Sequence, residues 1–123
     1  PFVTVELVGG GTFACASRDA ESCVNGGKWE SASVSSNGFD PQWVGQSVEL
    51  VASHPELTVL RIVLLSEQHH ARVSLHGAKH QPQILGYEAL PLDAVRCGIR
   101  SVQLRDRHAG RFLFTTLLVK LEQ

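Results

Sequence analysis

The stretch LTVLRIVLL, residues 57–65, decides the fold because it is the most apolar part of the chain. Its apolar side chains occupy odd and even positions alike, as is typical of a central β-strand that is covered on both faces. Arg61 interrupts the run, and the stretch falls far short of the ~20 apolar residues that a membrane-spanning helix requires. We therefore predict a buried central strand and no membrane-spanning helix.

Six further segments on both sides of this stretch have compositions and patterns that predict strands. They lie at residues 2–7, 28–34, 46–52, 84–90, 99–104 and 112–121. Residues 46–52 are expected to form a hairpin with residues 57–65, and residues 91–98 fit one helical turn. We also expect Ala32 to face the core and Ser31 to face water. About seven turn-bounded strands with almost no helix predict an all-β fold, an antiparallel β-sandwich.

Two segments lack a regular pattern. Residues 9–27 are rich in Gly, Ala, Ser and Cys, and residues 66–83 carry four histidines without sustained periodicity. Such compositions predict long loops, and loops often carry function.

Length and composition are those of one compact globular domain. The chain has 123 residues, of which 43% are hydrophobic and 19% are charged. A formal net charge of -1 argues against nucleic acid as a partner, since that binding needs a basic surface. The chain opens at Pro1-Phe2-Val3 without an initiator methionine, so we interpret residues 1–123 as a single domain of a larger multidomain protein.

The three cysteines, Cys15, Cys23 and Cys97, cannot all pair with one another, and none lies in a CxxC spacing. A reducing, cytoplasmic location is the simplest interpretation. A bridge between Cys15 and Cys23 in a secreted sandwich is the alternative.

The turn NGFDPQW, residues 37–43, resembles the NGFNPxW turn of the C2 domain that follows the catalytic barrel of phosphoinositide-specific phospholipases C. Four further segments resemble motifs of the same domain in order and spacing. PELTVLRIV at residues 55–63 is similar to PELA-xLRF-V, ILGYEALPL at residues 84–92 to IGQ-x-x-xP, GIRSVQL at residues 98–104 to GYRHVxL, and TLLVK at residues 116–120 to ATLFVxI. The start, PFVTVEL, is similar to DPFVxVEI, so the resemblance covers most of the chain.

The resemblance implies a C2-like sandwich of phospholipase topology that lacks its first strand, which would precede Pro1. It implies that the parent protein hydrolyses phosphatidylinositol 4,5-bisphosphate to diacylglycerol and inositol trisphosphate, with the catalytic residues in a separate barrel. This chain contains no GxSxG, HExxH or P-loop motif, so we predict that it is not an enzyme by itself.

The partners that the resemblance implies are the catalytic barrel of the same polypeptide and a phospholipid membrane surface. The chain would help to dock the enzyme on phosphoinositide-containing membranes, which gives it a cytoplasmic, peripheral-membrane location. The alternative is a protein-interaction scaffold in a catalytically inactive phospholipase C-like protein.

Asp40 is the candidate metal ligand, because the resemblance places it on the second of three calcium-binding loops. Calcium takes about six to eight oxygen ligands, so several carboxylates must converge. The paired aspartates that the family carries after its central strand correspond here to Ser66 and Gln68, with Glu67 between them. We therefore expect weak or no calcium binding and no other cofactor. A turn-capping role for Asp40 is the alternative.

Five residues are candidate contacts to a membrane or partner: Phe39, His69, His70, Arg72 and Lys79. Phe39 is also expected to pack with Trp43 against the edge of the sandwich. The other four lie in the loop at residues 66–83, whose histidines gain charge near or below pH ~6.5 and then favour anionic headgroups. Their spacing matches no zinc site, and a solvated insertion is the alternative reading of this loop.

Overall fold

The computed structural model describes residues 1–16, 23–25, 27–35, 40–67 and 82–123, and for residues 16 and 23–25 it describes the backbone. Within these ranges the chain forms nine strands, β1 (Phe2–Gly9), β2 (Phe13–Ala16), β3 (Cys23–Asn25), β4 (Lys28–Glu30), β5 (Glu49–Ala52), β6 (Thr58–Ser66), β7 (Gln83–Pro91), β8 (Gly98–Arg105) and β9 (Arg111–Leu121). The described ranges also include short 3-10 turns at Pro55–Leu57 and Leu92–Ala94. No described segment is a helix with the length and apolar character needed to span a bilayer.

The strands form two antiparallel sheets. The larger sheet has the order β3-β4-β1-β6-β7-β8-β9, and the smaller sheet pairs β2 with β5. β7 and β8 pair antiparallel, with Tyr87 opposite Arg105. β7 separates β8 from β1 and β6 in the sheet order, yet side chains of β8 pack on β1 and β6. The large sheet must therefore fold over at the junction of β7 and β8. The predicted fold class, an all-β antiparallel sandwich, is confirmed.

The core lies between the two layers that this fold creates. Its buried cluster consists of Val3 and Leu7 of β1, Leu60 and Ile62 of β6, and Val102 and Leu104 of β8. The small sheet packs against the same cluster through Phe13, Leu50 and Ala52. Removal of these apolar side chains from water is the main source of stability for the arrangement.

β6 is the central strand that the LTVLRIVLL stretch predicts. It pairs with β1 on one side and with β7 on the other. Ile62 and Val63 are both buried, although successive side chains of a strand point to opposite faces. Coverage on both faces explains why the stretch is apolar at odd and even positions.

Two predictions about the first half of the chain are wrong. Residues 9–27, predicted as a loop, contain β2 and β3. β2 pairs with the distant strand β5 and β3 with the following strand β4, so strand pairing decides their conformation and local composition does not. Residues 46–52 form no hairpin with residues 57–65, since β5 pairs with β2. The 3-10 turn at Pro55–Leu57 lies between β5 and β6 and carries the chain from one sheet to the other.

The prediction for the residues after β4 is also wrong, because Ser31 is buried and Ala32 is exposed. The backbone N–H of Val3 donates to Ser31 Oγ at 2.8 Å, and that hydroxyl donates to the carbonyl of Ala32 at 3.0 Å. A hydroxyl is buried here because it satisfies a backbone donor that the short strand β4 leaves without a ladder partner.

Cys15 is disulfide-bonded, whereas Cys97 is a free, exposed thiol. The side chain of Cys23 lies outside the described residues. The bond at Cys15 agrees with the alternative interpretation, in which this cysteine is bridged, and not with the simplest one. Cysteine usage no longer argues for a reducing compartment.

Candidate functional site

Asp40 lies three residues before Trp43, which anchors this part of the chain to the sandwich. The side-chain amide of Gln42 donates to Asp40 Oδ2 at 3.3 Å, and Asp40 is exposed. The indole Nε1 of Trp43 donates to the carbonyl of Ala32 at 3.0 Å, and its partly buried ring packs against the core. Trp43 therefore holds the segment against the sandwich as expected, whereas Phe39 lies outside the described residues.

The predicted calcium site needs further carboxylates beside Asp40. In the part of the chain that the structure describes, no group of three or more His, Cys, Asp or Glu side chains is placed to hold a metal ion. The role of Asp40 as a metal ligand stays a prediction. His69, His70, Arg72 and Lys79 also lie outside the described residues, so their roles in contact stay predictions as well.

Strand directions bring several segments to one end of the sandwich, which we call the Pro1 end. Phe2 at the start of β1 pairs with Leu65 at the end of β6, and Leu65 pairs with Ile84 at the start of β7. β8 runs opposite to β7, so β8 also finishes toward this end. The turn between β8 and β9, residues 106–110, therefore lies at the Pro1 end.

The turn at residues 106–110 is held together by Asp106. Its Oδ1 accepts the backbone N–H groups of His108 at 2.8 Å and Gly110 at 3.0 Å. The backbone N–H of Asp106 donates to the carbonyl of Gly110 at 2.8 Å. This network fixes the turn and presents two exposed residues, Arg107 and His108, whose side chains are joined by a hydrogen bond of 3.2 Å.

A bulge in β9 follows this turn, and apolar side chains within it are exposed to solvent. Arg105 pairs with Arg111, and the next registered pair is Gln103 with Thr116. Residues 112–115 thus stand opposite Leu104 alone, which is a bulge of several residues. Leu113 is 80% exposed and Phe114 is 95% exposed. Leaving a Leu or Phe side chain in water forgoes roughly 1.5–3 kcal/mol of burial for each, so such exposure requires an explanation.

Two further apolar side chains lie on the outer face of the same strand pair. Ile99 pairs with Lys120, and Ser101 pairs with Leu118. Paired residues share a face, and Ile99 and Leu118 are both exposed. We call Ile99, Leu113, Phe114 and Leu118 the β8–β9 apolar surface.

Charge is distributed unevenly along the sequence, with the basic part around the β8–β9 apolar surface. Residues 96–123 carry six Lys or Arg and two Asp or Glu, a net charge of +4, whereas the whole chain has a net charge of -1. Lys120 is paired with Glu122 at 2.6 Å, and this hydrogen bond and charge raise the pKa of Lys120 and lower the pKa of Glu122. Among the described residues, no carboxylate forms an ion pair with Arg107 or Arg111.

The outer face of β1, β4 and β6 carries a second candidate, a groove of about 390 Å³. Its polar wall holds two acidic and two basic side chains, namely Glu6, Glu30, Lys28 and Arg61. Arg61 donates to Glu6 Oε1 at 2.7 Å, which joins the two central strands. Because its charges balance, the groove has no preference for an anionic ligand.

The β8–β9 apolar surface was missed from the sequence. Seven of the ten residues at positions 112–121 are apolar and they do not alternate with polar ones, so the pattern that would separate inward from outward side chains is absent. The concentration of basic residues after position 95 is the signal that could have drawn attention to this region.

Two relatives match nearly the whole chain. The chain is 26% identical over 122 residues to a 1-phosphatidylinositol 4,5-bisphosphate phosphodiesterase gamma of Caenorhabditis elegans, a match covering 99% of this chain and 8% of that protein. It is 26% identical over 132 residues to the human 1-phosphatidylinositol 4,5-bisphosphate phosphodiesterase gamma-2, covering 98% of this chain and 10% of that protein. The resemblance to phosphoinositide phospholipases C is confirmed.

No protein-family model matches this chain. The chain spans a tenth or less of the length of the two relatives. Its all-β sandwich agrees with a C2-like domain of such an enzyme.

Proposed function

We propose that this chain is the C2 domain of a phosphoinositide phospholipase C and acts as a non-catalytic module of that enzyme. The match of 98–99% of the chain to two phosphodiesterases of the gamma type is the observation that carries the proposal. In this proposal the parent protein hydrolyses phosphatidylinositol 4,5-bisphosphate to diacylglycerol and inositol trisphosphate. A separate catalytic barrel supplies the reacting groups.

The module packs against the catalytic barrel and helps to dock the enzyme on phosphoinositide-containing membranes at the cytoplasmic face. The basic segment at residues 96–123 supports the docking role, because anionic headgroups attract basic surfaces. Calcium does not drive this docking. A calcium ion needs several convergent oxygen ligands, and Asp40 belongs to no cluster of three or more potential ligands among the described residues.

Vesicle co-sedimentation of the chain tests the docking role and its independence of calcium. The vesicles contain phosphatidylcholine, phosphatidylserine and phosphatidylinositol 4,5-bisphosphate, with either calcium or a chelator present. We expect the same bound fraction in both conditions, and the same fraction for Asp40→Ala. Asp93→Ala, in the exposed 3-10 turn after β7, is the matched control.

Two results would contradict the proposal. Binding that requires calcium and is lost in Asp40→Ala, but kept in Asp93→Ala, would establish a calcium site. Absence of vesicle binding in both conditions would remove the docking role.

Cross-linking mass spectrometry of the full parent enzyme tests the barrel contact. Lysine or carboxylate cross-links between this domain and the barrel are expected. Their absence from active enzyme that cross-links elsewhere would contradict the packing role.

A further inference from the structure

The β8–β9 apolar surface carries an inference that rests on the proposed docking role and assigns it to specific side chains. We propose that Leu113 and Phe114 insert into an anionic bilayer, with Arg107 and Arg111 binding the lipid headgroups around them. Both apolar side chains lie in the bulge in β9, where the regular pairing with β8 is interrupted.

The form of the exposed surface favours a bilayer. Leu113 and Phe114 are 80% and 95% exposed in the bulge between the registered pairs Arg105–Arg111 and Gln103–Thr116. The Asp106 hydrogen bonds hold the preceding turn in one conformation, so the apolar pair is presented next to a fixed turn. Apolar side chains that project beside a rigid turn can enter an acyl layer without rearrangement of the fold.

The charges around the apolar pair match an anionic surface. Arg111 precedes Leu113 by two residues, and Arg107 lies in the adjoining turn; neither guanidinium is paired with a carboxylate within the ranges that the structure describes. Arg105, by contrast, forms an ion pair with Glu88, and Lys120 forms one with Glu122. Two available cations beside two exposed apolar side chains form the combination that binds headgroups and acyl chains together.

The groove on the other face is a weaker candidate for the same role. Its two basic side chains are balanced by two acidic ones, and Arg61 is bound to Glu6 at 2.7 Å. Electrostatic attraction to an anionic bilayer therefore favours the β8–β9 turn over the groove.

Co-sedimentation of the whole chain with phosphatidylcholine vesicles, with and without phosphatidylserine, tests the assignment. Phe114→Ser and the double variant Leu113→Ser/Phe114→Ser should lower the partition coefficient onto phosphatidylserine vesicles roughly tenfold or more, because the transfer of a large apolar side chain is lost. Arg107→Gln/Arg111→Gln should weaken binding to phosphatidylserine vesicles and leave the low binding to phosphatidylcholine alone unchanged.

Leu57→Ser is the matched control. Leu57 is 60% exposed and lies at the opposite end of β6 from Ser66, so away from the Pro1 end. It should bind vesicles as the unmodified chain does. Unfolding temperatures confirm that the variants are folded, which is expected because the replaced side chains are exposed.

The outcomes separate this inference from the docking role itself. If the unmodified chain binds vesicles and Phe114→Ser binds equally well, the inference is wrong and the docking role stands, with the apolar surface left for a protein contact. If the unmodified chain binds no vesicles, the docking role and the inference both fail.

Fluorescence quenching gives a second readout that does not depend on affinity. Phe114→Trp adds an indole at the bulge, and its emission should be quenched by phospholipids with brominated acyl chains. Leu57→Trp should show no added quenching. Vesicle-bound Phe114→Trp protein without added quenching would also overturn the inference.

Discussion

The Glu88 carboxylate and the Arg105 guanidinium form a two-contact ion pair, with Arg105 Nε lying 3.0 Å from Oε1 and 3.2 Å from Oε2. The pair joins β7 to β8 at the junction where the large sheet folds over and where Tyr87 registers with Arg105. Arg105 also donates through Nη1 to the carbonyl of Ala109 at 3.3 Å. One side chain thus connects the fold junction to the β8–β9 turn.

Removal of one partner of this pair should destabilise the sandwich. The side chains of Glu88 and Arg105 are 10% and 28% exposed. Among the described residues, Arg105→Ala therefore leaves this nearly buried carboxylate with the backbone N–H of Ala89 as a donor. We expect a loss of about 1–3 kcal/mol in the free energy of unfolding, below the cost at a fully buried pair. Urea unfolding measures this loss.

The exposed pair Lys120–Glu122 provides the control, and Glu122→Gln should leave the urea midpoint unchanged. An Arg105→Ala midpoint equal to that of the unmodified chain would show that the junction does not depend on this pair.

Close approach of β7 to β8 at Gly86 should make that position intolerant of a side chain. A Cβ at Gly86 would lie 3.0 Å from the Cβ of Leu104, which is fully buried in the core. We expect Gly86→Ala to cost about 1–3 kcal/mol through overpacking, and Leu104→Ala to cost about 2–5 kcal/mol through the cavity that it leaves. Leu118→Ala, on the exposed face of β9, should change stability little. Equal unfolding temperatures for Gly86→Ala and the unmodified chain would contradict this reading of the junction.

Much of the sandwich could be predicted from local pattern, and two of the errors share one physical cause. The stretch at residues 57–65 had to be buried on both faces, so its apolar composition identified β6. β2 was missed and the strand at residues 46–52 was given the wrong partner, because β2 and β5 are held by pairing with each other and no local pattern reports a partner that lies more than thirty residues away.

The candidate functional residues were also predictable only in part from the sequence. Asp40 was predicted as a candidate ligand because a short motif resembles a known turn, and this role stays a prediction. The exposure of Phe114 depends on a register shift between β8 and β9, which a mostly apolar stretch without alternation cannot reveal.

The Ser31 hydroxyl should be needed for stability although serine is usually a surface residue. It accepts the backbone N–H of Val3 at 2.8 Å in a buried position, so Ser31→Ala leaves that donor without its acceptor. We expect a loss of about 1–3 kcal/mol in the free energy of unfolding, measured by urea unfolding. Ser33→Ala, at an exposed position two residues away, is the control and should have almost no effect. Similar small effects of both substitutions would mean that a water molecule accepts the hydrogen bond from the Val3 N–H in place of the Ser31 hydroxyl.

Cys15 and Cys97 should differ in reactivity toward alkylating reagents. Cys97 is free and exposed, and Cys15 is disulfide-bonded, so alkylation of the folded, unreduced chain should label Cys97 and leave Cys15 unlabelled until a reductant is added. Peptide mass spectrometry of the alkylated chain, isolated from cells with thiols trapped at lysis, measures both sites. Labelling of Cys15 without reductant would show that the bond is absent from the chain made in the cell, where a cytoplasm normally keeps thiols reduced, and would contradict this prediction.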